Sequence, residues 1–502
     1  MYYLPTCALL ALAALTSCRA GAPAPGPAPD VRGYGAAIRV DPATLRLSGV
    51  VRLAVAAPAD GALELDLAQE IDVLSVRVDA GAADYIRRGH RLRVPLRAGA
   101  RTVEVRYAGT PAAGLYAGRA ADQRVIYTDS WPQRGAGWLP AVHHPSDPAS
   151  LELALELPLP WEAVASGAAR SVTTTPDGFR RWHFSLGADA PAYTFAFAAA
   201  DFAALRDSSG AVPVTHYLLA GDSSRVRGLS RVAPALDTLA ALLGPYPYST
   251  FATVEVPLGF DGMENAAAVF LRAGLYRTGP RALEEVAFHE AAHQWLGNRV
   301  VPADWRDLWI AEGAATYLTT VLYERLDGAN AARSARARMA RLTREDATRP
   351  LRPAILEHPE EALSTTVYGK GGAVFHLLRL TVGDDAFFGA LRDLAFRARP
   401  TSTNDLRRAM ERASGADLGP FFAYWVHGGR VPVLRTHWDS ERRTLRWRVE
   451  GAHGVLDGLP LELRLIQVGE DRVVPLGDGR VVMRGTGEPE ALPVGVVMRV
   501  ED

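Results

Sequence analysis

Cysteine is nearly absent from this chain of 502 residues, where it occurs only as Cys7 and Cys18. The body of the protein therefore has no disulfide and no thiolate metal ligand, so a metal site would have to use histidine and carboxylate side chains. Lysine is also scarce, and the net charge of −1 provides no overall field that would favour nucleic acid or an acidic membrane. We therefore expect no nucleic-acid partner. The apolar share of 48% and the charged share of 22% indicate an ordinary globular protein.

The N-terminus has the features of an export signal. Residues 4–15 are almost wholly apolar, but the run is shorter than the roughly 20 residues that a transmembrane helix needs. Residues 15–18 read Leu-Thr-Ser-Cys, which resembles the lipobox of bacterial lipoproteins, although no Lys or Arg precedes the apolar run. The alternative is an ordinary secretory signal in which Cys18 has no role. We predict a signal peptide with a lipobox over residues 1–18. The exported lipoprotein would face the periplasm or the exterior and contact the membrane only through a lipid at Cys18.

Hydrophobic periodicity divides the rest of the chain. Residues 19–30, rich in Ala, Gly and Pro, predict a linker, and residues 31–203 alternate apolar and polar side chains in short runs, as half-buried strands do. Residues 204–430 are mainly helical, with strands near their start. Residues 431–502 predict a small β-sandwich-like domain that should pack on the middle one, because so small a unit is marginal alone. The predicted fold class is α+β and multidomain. Helices are expected at residues 230–243, 281–296, 307–326, 331–342, 368–382, 384–395 and 403–413.

One stretch of the helical part carries the pattern of a zinc site. In a helix, His289 and His293 are one turn apart, so both imidazoles project from one face and can bind a single zinc ion. Glu290 follows the first histidine and could take a proton from zinc-bound water. A catalytic zinc usually has three protein ligands, and Glu312 on the next predicted helix could be the third. The alternative is a pair of hydrogen-bonded histidines on a buried, metal-free helix face.

These residues resemble the gluzincin aminopeptidases, the relatives of aminopeptidase N and of the leukotriene-hydrolysing aminopeptidase. The match includes the eighteen residues between His293 and Glu312, and it extends over about residues 41–432. The resemblance implies a saddle-like N-terminal β domain, a thermolysin-like catalytic domain and one zinc ion. Larger members carry a C-terminal helical domain that caps the cleft. This chain ends in a β-like tail, so we expect a more open site.

A second motif of the family lies upstream. Gly262, Met263, Glu264 and Asn265 resemble its G-x-M-E-N segment, except that Asp261 stands where the motif has its first glycine. The resemblance implies that this segment binds substrate and that Glu264 binds the free α-ammonium group. The chemistry is reasonable in itself, because a carboxylate that pairs with the ammonium lets only the first peptide bond reach the zinc. The alternative for Glu264 alone is a solvent-exposed loop carboxylate.

Two further matches complete the resemblance. Tyr368 begins a segment similar to the family's Y-x-K-G, which implies that its phenol stabilises the tetrahedral intermediate. A looser match around residues 131–147 implies a second amine-binding residue, for which Asp129 and Gln133 are candidates. His143 and His144 could suggest a second metal site, but we expect them to be exposed turn residues.

The sequence therefore predicts a zinc-dependent aminopeptidase, a monomer that removes the first residue from peptides with a free N-terminus. Glu290 is the expected proton acceptor and donor, and Tyr368 the hydrogen-bond donor to the oxyanion. Three alternatives use the same site or fold. They are the opening of an epoxide, a catalytically silent peptide-binding protein, and an endopeptidase that cuts N-blocked peptides.

Overall fold

A computed structural model of the chain describes residues 29–219, 223–341, 348–429, 431–451, 456–484, 487–494, 496 and 498–501. The predicted signal peptide and lipobox, with Cys7 and Cys18, lie outside these residues, as does nearly all of the predicted linker. Within the described ranges, no helix is both long enough and apolar enough to cross a membrane.

The N-terminal part consists of β-sheets, as its alternating sequence predicts. Its strands are β1 (Asp30–Val40), β2 (Leu47–Ala56), β3 (Gly61–Asp66), β4 (Ile71–Val78), β5 (Gly81–Ala82), β6 (Ile86–Arg88), β7 (Arg91–Leu96), β8 (Thr102–Gly109), β9 (Leu115–Ala120), β10 (Gln123–Thr128), β11 (Pro148–Pro158), β12 (Glu162–Ala165), β13 (Ala168–Thr174), β14 (Phe179–Ser185), β15 (Ala190–Pro191) and β16 (Phe197–Ala200). One sheet has the order β13-β14-β11-β1-β2-β8-β4-β5, with β15 paired to β11. The others have the orders β12-β16-β10-β9 and β3-β7-β6. Side chains of β7 alternate strictly between exposed and buried, which is why a period of two identified it.

A different sheet begins the central part. Its strands are β17 (Ala203–Asp207), β18 (Val214–Leu218), β19 (Phe251–Val256), β20 (Gly262–Met263) and β21 (Ala268–Arg272). They have the order β17-β18-β19-β21-β20, in which β18, β19 and β21 are parallel. The short strand β20 pairs antiparallel with β21 and ends this order, so one edge of the predicted substrate-binding segment faces away from the sheet. The change of sheet between β16 and β17 lies within a few residues of the predicted domain boundary.

Helices make up most of the central part. They are α1 (Val232–Leu243), α2 (Leu275–Thr278), α3 (Pro280–His293), α4 (Trp309–Asp327), α5 (Ala329–Arg341), α6 (Thr365–Val382), α7 (Asp384–Arg397), α8 (Thr403–Ser414) and α9 (Gly419–Trp425). The helix α3 ends at His293, three residues before the predicted end. Gly297 adopts a φ of 139°, and its N–H donates to the Val300 carbonyl at 2.9 Å, so the chain turns back towards the start of α4.

The C-terminal part forms two small sheets and packs on the helices, as predicted. Its strands are β22 (Val433–Asp439), β23 (Thr444–Glu450), β24 (Glu462–Gln467), β25 (Glu470–Pro475), β26 (Gly479–Val482), β27 (Glu490–Val494) and β28 (Arg499–Glu501), in the orders β26-β23-β22-β28 and β25-β24-β27. Leu434, Trp447 and Leu465 belong to the same buried core as the central helices. Arg333 of α5 also pairs with Glu462 of β24 at 2.7 Å. The burial that stabilises this part therefore comes from its neighbour as well as from itself.

Candidate active site

The three side chains predicted as metal ligands converge; we call them the metal cluster. His289 and His293 lie on α3, and Glu312 lies in the first turn of α4. The two histidine Nε2 atoms are 3.0 Å apart. The Oε2 atom of Glu312 is 3.5 Å from Nε2 of His289 and 3.4 Å from Nε2 of His293. Tetrahedral zinc ligands at roughly 2.0–2.1 Å from the metal are about 3.3 Å from one another, so these atoms already have the separations that one zinc ion requires.

The chemistry of the donor atoms also fits zinc. Two imidazole nitrogens that face each other at this distance are unfavourable unless a proton or a cation lies between them. Nδ1 of His293 donates to the Leu296 carbonyl at 3.0 Å, which leaves Nε2 as the nitrogen that binds metal. In the described part of the chain, no other group of three His, Cys, Asp or Glu side chains could hold a metal ion.

Electrostatics within the metal cluster favour a charged carboxylate beside the imidazoles. Burial opposes ionisation of Glu312, but the two histidines outweigh it and hold the pKa of this carboxyl below its ordinary range. Burial would lower the pKa of His293, yet Glu312, with Glu264 and Glu290, raises it above the ordinary value. For His289 burial dominates and lowers the pKa. The negative charge of the cluster therefore lies on Glu312, where a cation would neutralise it.

Contacts from distant parts of the chain position α4. Asp307, which lies just before the helix, accepts hydrogen bonds from Nε of Arg352 at 2.8 Å and from Oγ1 of Thr403 at 2.7 Å. Further along, α4 and α6 meet at two glycines. A Cβ atom added to Gly313 would lie 2.8 Å from the carbonyl carbon of Gly371, so any side chain there would push the helices apart. Gly313 follows Glu312 directly, and the crossing therefore fixes this ligand relative to α6.

Glu290 lies beside the metal cluster and is only 4% exposed. A Cβ atom added to Gly262 would lie 2.3 Å from its Oε1 atom, so glycine at this position leaves room for the carboxylate. Burial raises the pKa of Glu290 well above its ordinary range; His293 opposes this effect, and Glu264 and Glu312 reinforce it. A carboxylate in such surroundings accepts a proton readily, which is what a general base must do.

Glu264 is buried rather than exposed, so the exposed loop carboxylate that the sequence left open is excluded for it. Its side chain is 7% exposed. Burial raises the pKa of its carboxyl, and His293 only partly offsets this. The backbone carbonyl of Glu264 accepts hydrogen bonds from Nδ2 of Asn298 at 2.7 Å and from Nε2 of Gln294 at 3.3 Å, which fixes the residue against the end of α3. Among the described residues, no lysine or arginine pairs with the carboxylate.

The other residues of this segment have different surroundings. Gly262 lies in the edge strand β20 and faces Glu290. Met263 is 4% exposed and packs in a cluster that contains Trp305. Asn265 is fully buried, and neither atom of its side-chain amide has a hydrogen-bond partner among the described residues. In this conformation, therefore, Gly262 and Glu264 border the site, whereas Asn265 lies within the protein.

Tyr368 lies in the first turns of α6, next to the metal cluster. Its ring centroid is 5.9 Å from that of His289, and its phenol interacts with the Glu312 carboxylate. Burial, together with the negative charges of Glu312, Glu264 and Glu290, raises the pKa of Tyr368 well above its ordinary value. The phenol therefore keeps its proton and can donate a hydrogen bond to a developing negative charge.

The candidate residues of the N-terminal part, two for amine binding and two histidines, have different surroundings in the structure. Asp129 is 7% exposed and lies within electrostatic reach of Glu264, but its carboxylate already binds Arg134 at 2.6 Å. Gln133 is half-buried. The expectation that His143 and His144 are exposed was wrong. His143 is fully buried with Nε2 3.2 Å from the Leu139 carbonyl, and His144 is partly buried against Ser146.

Two histidines and a glutamate on neighbouring helices, with a buried glutamate beside them, define the catalytic domain of a zinc metallopeptidase. Residues 234–425 match the model of the Peptidase family M1 domain. Aminopeptidase N of Caulobacter vibrioides is 28% identical over 298 residues, which cover 53% of this chain and 34% of that protein. Aminopeptidase B of Rattus norvegicus is 27% identical over 279 residues, which cover 52% of this chain and 41% of that protein.

A solved structure is similar over more of the chain. It is an M1 zinc metallopeptidase mutant from Deinococcus radiodurans bound to a Tyr-Ser-Ala substrate, with a TM-score of 0.69, 27% sequence identity, and coverage of 80% of this chain and 94% of that one. The matched regions span about a third to two fifths of the two aminopeptidases named above. Residues 234–425 thus match the catalytic domain of the M1 zinc metallopeptidases, and within them His289, His293 and Glu312 form a group that could hold the zinc ion.

Sequence reasoning missed the residues that hold the site together. Gln294 and Asn298 support Glu264 through its carbonyl, and Gln294 Oε1 also accepts from the backbone N–H of Ala267 at 2.9 Å. The available signal was their place, immediately after the metal-binding helix, where polar side chains in an apolar setting need partners. No comparable signal marked the contact between Gly313 and Gly371, because helical periodicity does not show which helices cross.

Proposed function

We propose that this protein is a zinc-dependent aminopeptidase that hydrolyses the first peptide bond of peptides with a free N-terminus. The observation that carries the proposal is the position of Glu264, a buried carboxylate without a lysine or arginine partner among the described residues, next to the metal cluster. A buried carboxylate of this kind is stabilised by a cation that comes from outside, and the α-ammonium of a peptide is one. We call Glu264, with Gln294 and Asn298 that support it, the amine anchor.

The relatives support the same activity. Two of them are named aminopeptidases, and the Deinococcus enzyme was crystallised with a tripeptide substrate. Opening of an epoxide would not use the amine anchor, and an endopeptidase would have no need of it. A silent peptide-binding protein would not need a complete set of metal ligands, with Glu290 and Tyr368 beside them.

Each side chain has a definite task in the proposed reaction. Glu264 binds the α-ammonium and so places the first carbonyl at the metal cluster. A zinc ion held by His289, His293 and Glu312 would supply Lewis-acid chemistry, which favours attack of water on a carbonyl at neutral pH. Glu290 takes the proton from the attacking water and returns it to the leaving amine. Tyr368 donates its phenolic proton in a hydrogen bond to the carbonyl oxygen as negative charge develops on it.

The decisive test is Glu290→Gln. The variant should keep zinc, because Glu290 is not a ligand, and should lose at least about 10³-fold in kcat on aminoacyl anilides, because the general base is gone. Zinc content and turnover are measured on the same preparation, together with a chelator-treated sample. Glu284→Gln makes the same change on the same helix, where the carboxylate pairs with Arg231 instead, and should remain active. Near-full activity of Glu290→Gln would exclude this mechanism. Cleavage of N-acetylated peptides as fast as free ones would favour an endopeptidase.

We also propose that the protein is exported, carries a lipid at Cys18 and is a monomer. The support is the lipobox-like segment at residues 15–18 and the linker that follows it. In a bacterial host, labelled palmitate should be incorporated into the wild type but not into Cys18→Ser, which should move from the membrane fraction to the soluble one. Labelling that persists in the variant would exclude this site. Light scattering on the purified soluble variant tests the oligomeric state.

A further inference from the structure

The chain makes a tight turn directly after the carboxylate of the amine anchor. The N–H of Ala268 donates to the Asn265 carbonyl at 3.2 Å, and Ala267 adopts a φ of 63°. This left-handed conformation is unfavourable for an alanine, because its Cβ atom approaches the following carbonyl oxygen. Among the described residues, Ala267 is the only buried one other than glycine that has a positive φ. We call residues 264–267 the anchor turn.

One side chain holds the anchor turn against the metal-binding helix. It belongs to Gln294, which directly follows His293 and is fully buried. Its Oε1 atom accepts from the backbone N–H of Ala267 at 2.9 Å, and its Nε2 atom donates to the Glu264 carbonyl at 3.3 Å and to the Glu290 carbonyl at 3.1 Å. Both ends of the anchor turn are therefore tied through one amide to the backbone of the residue proposed as general base.

Other parts of the chain hold the anchor turn from its remaining sides. The N–H of Ala266 donates to the Thr194 carbonyl of the N-terminal part at 3.0 Å, and the Ala267 carbonyl accepts from Ala252 of β19 at 2.9 Å. Ala266 and Ala267 also belong to the same buried core as the N-terminal strands. The unfavourable conformation is thus enforced by its surroundings from several directions, which is how strain persists at functional sites.

The distance between the amine anchor and the metal cluster decides which carbonyl can react. In an α-amino acid, the carbonyl carbon lies about 2.5 Å from the amine nitrogen, because only Cα stands between them. One additional methylene, as in a β-amino acid, moves the carbonyl by about 1.5 Å. Since a displacement of about 1 Å can cost 10²-fold in rate, a fixed distance discriminates between the two kinds of substrate.

We propose that Gln294 is a positioning residue that sets this distance, and that the enzyme thereby selects α-amino over β-amino substrates; the inference rests on the aminopeptidase activity proposed above. All three hydrogen bonds of Gln294 go to backbone atoms, so it acts through the position of Glu264 and not on the substrate itself. Because the same amide binds the Glu290 carbonyl, the anchor turn cannot shift relative to the metal-binding helix without the loss of one of these bonds.

The experiment compares Gln294→Met with the wild type, both loaded with zinc, on alanine anilide and β-alanine anilide. Methionine has a similar length but cannot donate a hydrogen bond and accepts only weakly. The wild type should prefer the α-amino substrate by at least about 10²-fold in kcat/KM. In the variant, kcat for alanine anilide should fall by about 10–100-fold with KM within about threefold, because Glu264 still binds the ammonium but at a less fixed distance. The preference should fall by about tenfold or more, and zinc content should be unchanged.

Ala267→Val disturbs the anchor turn without a change in α3. A β-branched side chain is strongly disfavoured at a positive φ, so the turn should leave its conformation and the preference should again fall by about tenfold or more. Ala398→Val is the matched control, because Ala398 also has a positive φ, of 47°, at the end of α7. Gln467→Met is the control for the loss of a buried glutamine, whose amide donates to the Gly487 carbonyl in the C-terminal part. Both controls should keep the wild-type preference, even where the melting temperature falls.

Three outcomes would overturn the proposal and leave aminopeptidase activity intact. Equal cleavage of both anilides by the wild type would show that the distance is not fixed. If Gln294→Met and Ala267→Val lowered the melting temperature but kept kcat and the preference, the amide would serve stability alone. A rise in KM without a fall in kcat would mean that Gln294 supports binding of the ammonium and not its placement. If the zinc-loaded wild type cleaved neither anilide, or cleaved N-acetylated peptides as fast as free ones, the aminopeptidase proposal itself would fail.

Discussion

The metal cluster and the amine anchor are neighbours, but the pKa of the buried glutamate is shifted in opposite directions in these two sites. Both carboxylates are buried, with Glu312 at 4% and Glu264 at 7% exposed. Two imidazoles hold the pKa of Glu312 below its ordinary range in spite of burial, whereas burial raises that of Glu264 and His293 offsets it only in part. Glu312 has two imidazoles as positive partners, whereas the described residues provide Glu264 with no lysine or arginine and with His293 only as a partial counter-charge.

This difference indicates which of the two carboxylates depends on a bound ligand for its positive partner. A site whose charges are matched within the protein is preformed, so substitution of one of its residues should chiefly lower kcat. A site with an unmatched buried charge is completed only by the ligand, and its removal should weaken recognition more than chemistry. The comparison therefore predicts that variants of the two regions differ in the size of the effect and also in whether kcat or substrate discrimination changes.

The largest effect is expected at Glu312. Glu312→Ala leaves only two ligands, so zinc should be lost on dialysis and kcat/KM should fall by roughly 10⁴-fold or more. Zinc content and anilide hydrolysis are measured with and without added zinc, and excess zinc should restore part of the activity. A variant that retained both zinc and turnover would show that Glu312 is not the third ligand, and the contrast between the two regions would disappear.

A smaller loss is expected at Tyr368, which borders the metal cluster without being a ligand. Tyr368→Phe removes one hydrogen-bond donor to the oxyanion and should lower kcat by about 10²–10³-fold, with zinc content and KM nearly unchanged. Steady-state kinetics separate the two constants. An increase in KM without a change in kcat would place this phenol with substrate binding instead.

Glu264→Gln should have a different signature. The loss of a charge-assisted contact to the ammonium should lower kcat/KM for free peptides by about 10–100-fold, chiefly through KM. The ratio of rates for free and N-acetylated substrates should fall by the same factor. Asp129→Asn is the matched control, and its effect should be smaller because Arg134 already binds that carboxylate. If the two variants lost the same factor, Asp129 would contribute to binding of the ammonium as much as Glu264 does.

The metal cluster and the amine anchor also differ in how far the sequence predicts them. The spacing of His289 and His293 needs only the geometry of a helix, and the structure brings both together with Glu312 in a group that could hold one metal ion. The support of Glu264 by Gln294 and Asn298 depends on how a strand packs against the end of a helix, which periodicity does not encode. For the same reason, the burial of His143 was missed.

The amino-acid composition points to one further residue, Lys370. Lys370 is the only lysine of the chain, although arginine is abundant. The structure gives a reason: the residue is fully buried, and its ammonium donates to the Arg349 carbonyl at 2.8 Å and to the Gly428 carbonyl at 3.4 Å. A planar guanidinium has a different shape and more donors to satisfy, so arginine is not equivalent here. This burial lowers the pKa of Lys370 to about 8.

The smallest effect is expected at Gly371, where a substitution should alter the geometry of the metal cluster and leave the amine anchor unchanged. Gly371→Ala places a Cβ atom 2.9 Å from Cα of Gly313, so α4 and α6 must move apart and Glu312 must shift relative to Tyr368. A displacement of this size should lower kcat by about tenfold, while zinc binding and the preference for free over acetylated amines persist. Gly389→Ala, at a helical glycine with open space around it, is the control and should keep full activity. If Gly371→Ala lowered the melting temperature but left kcat unchanged, the crossing would serve stability alone, and the distance between ligand and phenol would not limit the reaction.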